Sequence, residues 1–169
     1  DTELALFRDS VRRFVKESVA PFYEEWESAG IIPRETWREL GAAGMLGTDI
    51  PAEYGGIGAD FRFSVVVQQE IARAGFLALA CNITVHSDIV AHYVLNAGTE
   101  EQKLRYLPKM VSGDCVGAIA MTEPGAGSDL QGIRASAQPD GEGWRINGAK
   151  TFITNGQHAD LVITAARTD

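Results

Sequence analysis

The apolar pattern of the chain changes near Gly113, and this change limits the possible folds more than any other feature. Before it, apolar side chains such as Phe7 and Val11 recur at the three- and four-residue spacings of a helix face. After it, short apolar runs alternate with turn residues, which is typical of strands. Residues 1–112 carry 9 glycines, and the shorter stretch 113–169 also carries 9. We therefore predict an α+β protein with an N-terminal all-α domain, residues 1–112, and a β-domain, residues 113–169.

The same pattern predicts the individual elements. Helical spacing, with Pro21 as a break and Gly44 as a C-terminal cap, predicts helices over residues 4–15, 22–28, 34–43, 63–71 and 89–94. Thr99 and Gln102 have the spacing of a capping box, which predicts a further helix that runs to about Met110. Periodicity leaves residues 76–85 open between a buried helix and a strand. Strands are predicted over residues 116–121, 133–137, 144–146, 151–154 and 161–165.

Charge and composition exclude several classes of protein. The 169 residues include 23 acidic and 15 basic side chains, so the basic surface of a nucleic-acid-binding protein is missing. The longest uncharged stretch in the apolar middle, residues 74–87, is too short and too polar to span a membrane. Cys81 and Cys115 have no CxxC spacing, so the sequence predicts neither a disulfide framework nor a zinc site. This cysteine usage favours a reducing compartment, with the cytosol as the default.

Both ends of the sequence indicate a trimmed chain. The first ten residues lack an initiator Met and the basic-then-apolar layout of a secretory signal. The last predicted strand is followed by nothing that would cover its apolar face. We therefore expect the sequence to be part of a longer protein.

The first candidate site is the glycine-rich stretch MTEPGAGSD, residues 121–129, which directly follows a predicted strand. Backbone amides of such a loop, together with the hydroxyls of Thr122 and Ser128, can hold an anionic group such as a pyrophosphate. A tight turn between strands is the alternative, because the loop is neither a dinucleotide-binding GxGxxG nor a P-loop. Glu123 has the chemistry of a base, but its place in a Pro-Gly turn favours hydrogen bonding to the backbone.

The second candidate site is FITNG, residues 152–156, at the end of a predicted strand. A flat ring beside a hydroxyl donor suits a planar heterocycle such as a flavin, and a plain hairpin end is the alternative. His86, His92 and His158 have no metal-ligand spacing, so we expect structural roles for them and no metal site.

Residues 120–132, AMTEPGAGSDLQG, resemble the signature of the acyl-CoA dehydrogenases. Further matches lie in the family's order, with EEQK at 100–103, YLPK at 106–109, SG at 112–113, INGAK at 146–150 and ITNG at 153–156. The loop PAEYGG, residues 51–56, also resembles the family. The resemblance covers essentially the whole chain and is closest in wording to the long-chain branch. The resemblance implies that an incomplete antiparallel β-barrel-like domain follows the helical domain. The family's C-terminal helical bundle is expected to be absent from this chain.

The resemblance implies an oxidoreductase that converts an acyl-CoA thioester to its trans-2-enoyl product. In this family a carboxylate removes the α-proton and the flavin of FAD takes a hydride from Cβ. The family's catalytic glutamate lies in the C-terminal half, so no residue of this chain is assigned as the base, and this piece alone is expected to be inactive. A flavin oxidase of the same fold and a non-catalytic flavin- or CoA-binding subunit are the alternatives.

The matching positions imply a set of cofactor-binding residues. Thr122 would hydrogen-bond the ring system, Ser128 would lie near the FAD pyrophosphate and the acyl-CoA, and Thr154 would donate near the reactive flavin nitrogen. The full set expected at FAD is Ile119, Met121, Thr122, Gly127, Ser128, Phe152, Ile153 and Thr154. Many relatives have a tryptophan where this chain has Phe152 and an aromatic residue where it has Ile119, and a phenylalanine keeps a flat ring at its position.

The resemblance also implies partners and a compartment. Acyl-CoA would be the substrate, and an electron-transfer flavoprotein is a suitable electron acceptor. The family usually forms homotetramers. The expected location is the cytoplasm of a bacterium or the mitochondrial matrix of a eukaryote.

Overall fold

The computed structural model of the chain describes residues 2–168, in which helices come first and strands follow. The α-helices are α1 (Thr2–Phe14), α2 (Tyr23–Ala29), α3 (Arg34–Ala42), α4 (Arg62–Arg73), α5 (Leu77–Ile83), α6 (Ala91–Ala97) and α7 (Glu100–Val111). The strands are β1 (Gly117–Ala120), β2 (Ser136–Asp140), β3 (Gly143–Asn147) and β4 (Leu161–Thr164). Short π-helical segments lie at Val15–Val19 and Thr84–Val90, and 3-10 turns lie at Ala52–Tyr54 and Leu130–Gly132. The predicted α+β class is confirmed. Among the described helices, none combines the length and the apolar character that a membrane crossing requires.

The helix faces predicted from apolar spacing meet in a common core. Val11 of α1 is completely buried, and the Phe7 ring centroid lies 5.0 Å from that of Phe63 on α4. Trp37 and Leu40 of α3 are also completely buried. Because burying one valine- or leucine-sized side chain contributes about 1.5–3 kcal/mol, these faces stabilise the helices more than intrinsic propensity does.

The predicted helix ends are confirmed where side chains or glycines mark them. Thr99 Oγ1 accepts a hydrogen bond from the Gln102 N–H at 3.3 Å, and Gln102 Oε1 accepts one from the Thr99 N–H at 2.9 Å. Gly44 follows α3 at a φ of +68°, the left-handed conformation that favours glycine. Pro21 lies in the turn after the first helical segment.

Residues 76–85, for which the pattern left helix and strand open, are mainly helical. They form α5 and enter the π-helical segment Thr84–Val90, which continues into α6. Leu79, Ile83 and His86 are all buried here. The exposed face of α5 carries Leu77, Ala78 and Cys81, so uncharged residues lie on both faces of the helix and its sequence shows no clear period.

The strands form two separate pairs. β2 and β3 form an antiparallel hairpin in which Asp140 pairs with Gly143 and Gly141 has a φ of +62°. β1 and β4 are parallel, with Ile119 aligned with Ile163, so the expected antiparallel pairing holds for the hairpin alone. The chain passes through the hairpin after β1 and then enters β4 in the same direction, which requires a long crossover. No closed barrel forms within residues 2–168.

Asp160, directly before β4, fastens the β region to the helices. Its carboxylate accepts hydrogen bonds from Arg34 of α3 at 2.5 Å and from the Val116 N–H at 2.8 Å. The Arg34 guanidinium lowers the pKa of Asp160, and the Val116 amide adds to this effect against the opposing effect of burial. The start of β1 is therefore held against α3 through one side chain.

A buried carboxylate joins α1 to α4. Glu70 of α4 is only 4% exposed and accepts hydrogen bonds from Arg8 and from Arg12, the latter at 2.7 Å. Arg73 of the same helix lies 3.6 Å from it. Burial opposes ionisation of this carboxyl, but the hydrogen bonds from Arg12 and Arg8 outweigh it and lower the pKa of Glu70. The buried Glu70 carboxylate of α4 therefore holds α1 in place, because leaving this charge without its arginine partners would be unfavourable.

We predict that Glu70→Gln lowers the free energy of unfolding by about 1–3 kcal/mol near neutral pH, because buried hydrogen bonds lose a charged acceptor. Chemical denaturation of both proteins measures the difference. The contribution of a carboxyl with a lowered pKa is present above its unfolded pKa of about 4.3 and is lost as the pH falls toward the folded value. The two proteins should therefore converge in acid. Glu101→Gln, on the exposed surface of α7, is the control, and an equal loss there would contradict the prediction.

Candidate functional site

The glycine-rich stretch after β1 forms a closed turn. The Glu123 N–H donates to the Ala126 carbonyl at 2.9 Å, and the Ala126 N–H donates to the Glu123 carbonyl at 3.1 Å. Within residues 2–168, nothing lies within 4 Å of the place that a Cβ would take at Gly125 or at Gly127. The tight turn is present, and its outer rim leaves the backbone accessible to a ligand.

Glu123 binds backbone groups, as its position in the turn predicts. Its carboxylate accepts hydrogen bonds from the N–H groups of Arg134 at 2.7 Å and Ala135 at 2.9 Å. It also accepts one from Lys150 Nζ at 2.9 Å. These hydrogen bonds lower the pKa of Glu123 to about 2, and the bond from Lys150 has the largest effect. A carboxylate that is held so firmly as an anion is a poor base near neutral pH, so the expected structural role is confirmed.

Lys150 joins the two candidate sites. Its Nζ donates at 2.9 Å to the Met121 carbonyl and at 2.9 Å to Glu123, and its side chain is only 12% exposed. The next residue, Thr151, donates its N–H to the Thr122 carbonyl at 3.0 Å. The two sites are therefore in contact, although 27 residues separate Glu123 from Lys150. This role of Lys150 is not predicted from the sequence, in which the available signal is a cation two residues before the second motif.

The strand predicted over residues 151–154 is wrong. Phe152 has a φ of +55° and Asn155 a φ of +64°, both in the left-handed region. The segment runs back beside β1 and is tied at its ends, through Thr151 to Thr122 and through Asn155 Nδ2 to the Gly117 carbonyl at 3.0 Å. A strand ladder needs extended conformations at successive residues, so the left-handed Phe152 inside the predicted strand prevents it.

Phe152 presents a bare aromatic ring. It is 91% exposed while its backbone has a φ of +55°. Both properties are unfavourable for a bulky apolar residue. Strain of this kind is found at ligand-binding and switching sites, where the surroundings impose it. The ring therefore indicates a place for a flat or apolar ligand.

The three hydroxyls expected in the site have no hydrogen-bond partner in the described part of the chain. Thr122 and Thr154 are half-buried and Ser128 is exposed. Within residues 2–168, none of these hydroxyls makes a hydrogen bond, and the main chain of Ser128 accepts one from the Leu130 N–H at 3.2 Å. The hydroxyls are therefore available as donors to a bound group.

The remaining residues predicted to bind the cofactor lie on both sides of the contact between residues 121–122 and residues 150–151. Ile119 is half-buried and packs against the helices, and Met121 is half-buried with its carbonyl on Lys150. Ile153 is half-buried, and its carbonyl accepts the Gly156 N–H at 2.9 Å. The structure thus brings residues 121–122 to residues 150–151. In the described part of the chain, hydrogen bonds connect neither Gly127 nor Ser128 to residues 152–154.

An apolar groove lies beside β4 and is not predicted from the sequence. It has a volume of about 220 Å³ and is lined mainly by Tyr93, Val94, Ala97, Tyr106, Leu161 and Ile163. Ile163 is aligned with Ile119, so the groove adjoins the strand that leads to the glycine-rich turn. Because it forms only when β4 returns to the helices, no local pattern indicates it.

The fold and the site together define a class of binding protein. A helical region precedes a β region, and the β region carries an accessible glycine turn, hydroxyls that have no hydrogen-bond partner among residues 2–168, and an exposed aromatic ring. Residues 1–114 match the family model described as the N-terminal domain of acyl-CoA dehydrogenase, and residues 118–169 match that of its middle domain. The chain belongs to the acyl-CoA dehydrogenase family, which confirms the resemblance seen in the sequence.

Individual relatives agree with the family match. The chain is 48% identical over 168 residues to the mitochondrial long-chain specific acyl-CoA dehydrogenase of Rattus norvegicus, covering 99% of this chain and 39% of that protein. An acyl-CoA dehydrogenase crystal structure from Geobacillus kaustophilus superposes with a TM-score of 0.96 at 47% identity, covering 100% of this chain and 44% of that chain. A glutaryl-CoA dehydrogenase from Mycobacterium smegmatis in complex with FADH2 superposes with a TM-score of 0.93 at 32% identity, covering 100% and 43%. The chain therefore spans about two fifths of the length of these relatives.

We predict that Glu123→Gln lowers the melting temperature at neutral pH. The folded pKa of about 2 lies below the unfolded value. The carboxylate therefore stabilises the fold above pH ~4.3 and loses this effect as the pH falls toward its folded pKa. The difference in Tm between wild type and variant, measured by circular dichroism, should shrink in acid. Glu142→Gln, in the exposed hairpin turn, should match the wild type throughout, and a difference that did not depend on pH would contradict the prediction.

Proposed function

We propose that the chain provides the flavin-binding side of an FAD-dependent acyl-CoA dehydrogenase, which oxidises an acyl-CoA thioester to the trans-2-enoyl-CoA. The observation that carries the proposal is Phe152, whose ring is 91% exposed at a φ of +55°. It follows Thr151, which is hydrogen-bonded to the turn after β1. A flat aromatic ligand stacked on this ring would cover its apolar face. Membership of the family supports FAD as that ligand.

The polar groups of the site suit the two ends of FAD. The rim of a flavin ring accepts hydrogen bonds, and Thr122 and Thr154 have hydroxyls that no group in residues 2–168 occupies. The pyrophosphate is an anion, and Gly127 and Ser128 lie on the exposed side of the glycine-rich turn. Backbone N–H groups and a hydroxyl in such a turn can bind an anion without a lysine or arginine. We assign Ser128 also to the acyl-CoA, which the family pattern places nearby.

The apolar residues of the site suit the faces of the ring. We assign Phe152 and Ile153 to packing against it from the segment beside β1. Ile119 and Met121 line it from the strand side, where both are half-buried. The absence of an indole at Phe152 changes the area of the contact but keeps a planar surface.

The residues of this chain act by placement and polarity. FAD, when bound, supplies the acceptor for the hydride that leaves Cβ of the acyl-CoA. Thr154 donates a hydrogen bond where negative charge accumulates, and a donor fixed in advance stabilises that charge without reorganisation. Glu123 does not remove the α-proton, because Lys150 and two backbone amides already hold its carboxylate as an anion.

The apolar groove is the candidate binding site for the acyl chain. Its volume is about 220 Å³, and aliphatic and tyrosine side chains line most of it. It adjoins β1, which leads to the residues assigned to the flavin. The names of the relatives include both a long-chain and a glutaryl enzyme. We therefore propose acyl-CoA thioesters as the substrate class, and the preferred length of the acyl chain is to be measured.

The larger organisation is proposed from family membership. The division into domains at residues 1–112 and 113–169 is supported by the change from helix to strand between Val111 and Gly117. An electron-transfer flavoprotein is the proposed electron acceptor, and a homotetramer is the proposed assembly. The proposed compartment is the bacterial cytoplasm or, in a eukaryote, the mitochondrial matrix, which agrees with the mitochondrial name of the rat relative.

We predict that the full-length protein purifies yellow with bound FAD and is bleached anaerobically by a suitable acyl-CoA. Absorbance in the visible range, recorded during titration with acyl-CoAs of increasing length, measures both points and ranks the substrates. A colourless protein that FAD does not reconstitute would refute the flavin-binding role. Release of peroxide during turnover in air would indicate the oxidase alternative.

We also predict that Phe152→Ala weakens FAD binding by about tenfold or more, because a stacked aromatic contact of about 1 kcal/mol and its buried area are lost. Fluorescence titration of the FAD-free protein measures the affinity. The variant should keep the wild-type Tm without FAD, since the ring is exposed. Phe152→Trp should retain affinity, and Phe61→Ala, which removes another exposed ring, should leave it unchanged. Wild-type affinity in Phe152→Ala would rule out stacking on this ring.

A further inference from the structure

Gly117, the first residue of β1, is held through both of its backbone polar groups. Its N–H donates to His86 Nδ1 at 3.0 Å, and its carbonyl accepts a hydrogen bond from Asn155 Nδ2 at 3.0 Å. A Cβ at this position would lie 2.7 Å from Val90 Cγ1, so only glycine allows the close approach of β1 to the helices. Gly117 is therefore a fixed point from which other parts of the site can be positioned.

His86 makes this fixed point rigid from the helical side. It is 1% exposed, and its Nε2 lies 3.0 Å from the Met110 carbonyl. Burial lowers its pKa to about 4, with the Met110 carbonyl acting in the opposite direction. The ring is therefore neutral near pH 7 and, on this hydrogen-bond pattern, Nε2 carries the proton while Nδ1 accepts from Gly117.

Asn155 connects the same fixed point to the segment that carries Phe152. It is 8% exposed, and its Nδ2 donates at 3.0 Å both to Gly117 and to the Asn82 carbonyl of α5. Both neighbours are carbonyl oxygens, so the amide must present its NH2 group to them and cannot be reversed. One side chain therefore joins α5, β1 and residues 152–155.

The backbone of Asn155 also shapes this segment. Its φ of +64° lies in the left-handed region, which asparagine tolerates better than most residues. Thr154 directly precedes it, and the other end of the segment is tied at Thr151 to the Thr122 carbonyl. Residues 152–154 lie between the two ties, so the position of Asn155 sets where the Phe152 ring and the Thr154 hydroxyl lie.

We propose that Asn155 is a positioning residue, whose side-chain amide sets the Phe152 ring and the Thr154 hydroxyl against β1 in the geometry that FAD requires. This inference rests on the proposed function. Asn155 itself does not touch the cofactor in this assignment. Its effect passes through Gly117, which His86 and the helices hold in place.

Three variants of the full-length protein separate the amide from the backbone conformation. Asn155→Gly keeps access to a positive φ but removes the amide. Asn155→Asp keeps the shape but places carboxylate oxygens against two carbonyl oxygens, where no hydrogen bond can form. Asn147→Asp makes the same chemical change on the exposed end of β3 and is the matched control.

The first measurement uses the FAD-free protein and hydrogen exchange of the amides in residues 152–156. We expect both Asn155 variants to exchange at least about tenfold faster than wild type there, because a buried tie is lost. The control should exchange as the wild type does. Unchanged exchange in Asn155→Gly would show that the amide does not hold the segment and would overturn the inference.

The second measurement uses the FAD-loaded protein. We expect Asn155→Gly to weaken FAD binding by about tenfold and to change the visible circular dichroism and the reduction potential of the bound flavin. A lower Tm with wild-type affinity, spectrum and potential would show a merely structural residue and would overturn the inference. A wild-type protein that takes up no FAD would overturn the proposed function, while the exchange comparison would still decide whether Asn155 holds the segment.

Discussion

The ion pair between Glu123 and Lys150 is the interaction on which the site depends. Both partners also satisfy backbone groups, since Glu123 accepts the N–H groups of Arg134 and Ala135 and Lys150 donates to Met121. One largely buried ion pair therefore joins the turn after β1, the approach to β2 and the segment before the exposed ring. Leaving either charge without the other is unfavourable, so these three segments are stable together rather than separately.

The sequence predicts those parts of the molecule that depend on neighbouring residues. The helix faces and the capping box at Thr99 follow from local spacing, and the glycine-rich turn follows from its residue types. The strand over residues 151–154 is wrong because the left-handed backbone of Phe152 is imposed by ties to β1, which alternation of residue types does not reveal. The partner of Lys150 and the apolar groove depend on contacts between distant segments, so a single sequence does not indicate them.

The exposed face of the site differs physically from the helical core. In the core, Val11, Trp37 and Leu40 are completely buried and carry no strain among the described backbone angles. In the site, an aromatic ring faces solvent, and the two non-glycine residues with positive φ within residues 2–168 lie three positions apart. The surrounding hydrogen bonds maintain this unfavourable arrangement before any ligand binds. The entropic cost of ordering the segment on binding is therefore smaller.

The parallel pairing of β1 and β4 has a consequence for the order in which the chain folds. Val116 and Asp160, which are hydrogen-bonded beside this pair, are 44 residues apart, whereas the backbone hydrogen bonds inside each α-helix join residues only four positions apart. Loop closure over that separation has an entropic cost that local helices avoid, and contacts of this kind slow folding. Because α1–α7 precede β1 in the chain, a chain emerging from the ribosome would complete its helical half first. The pairing of β1 with β4, beside which the apolar groove lies, would form only after β4 has been synthesised.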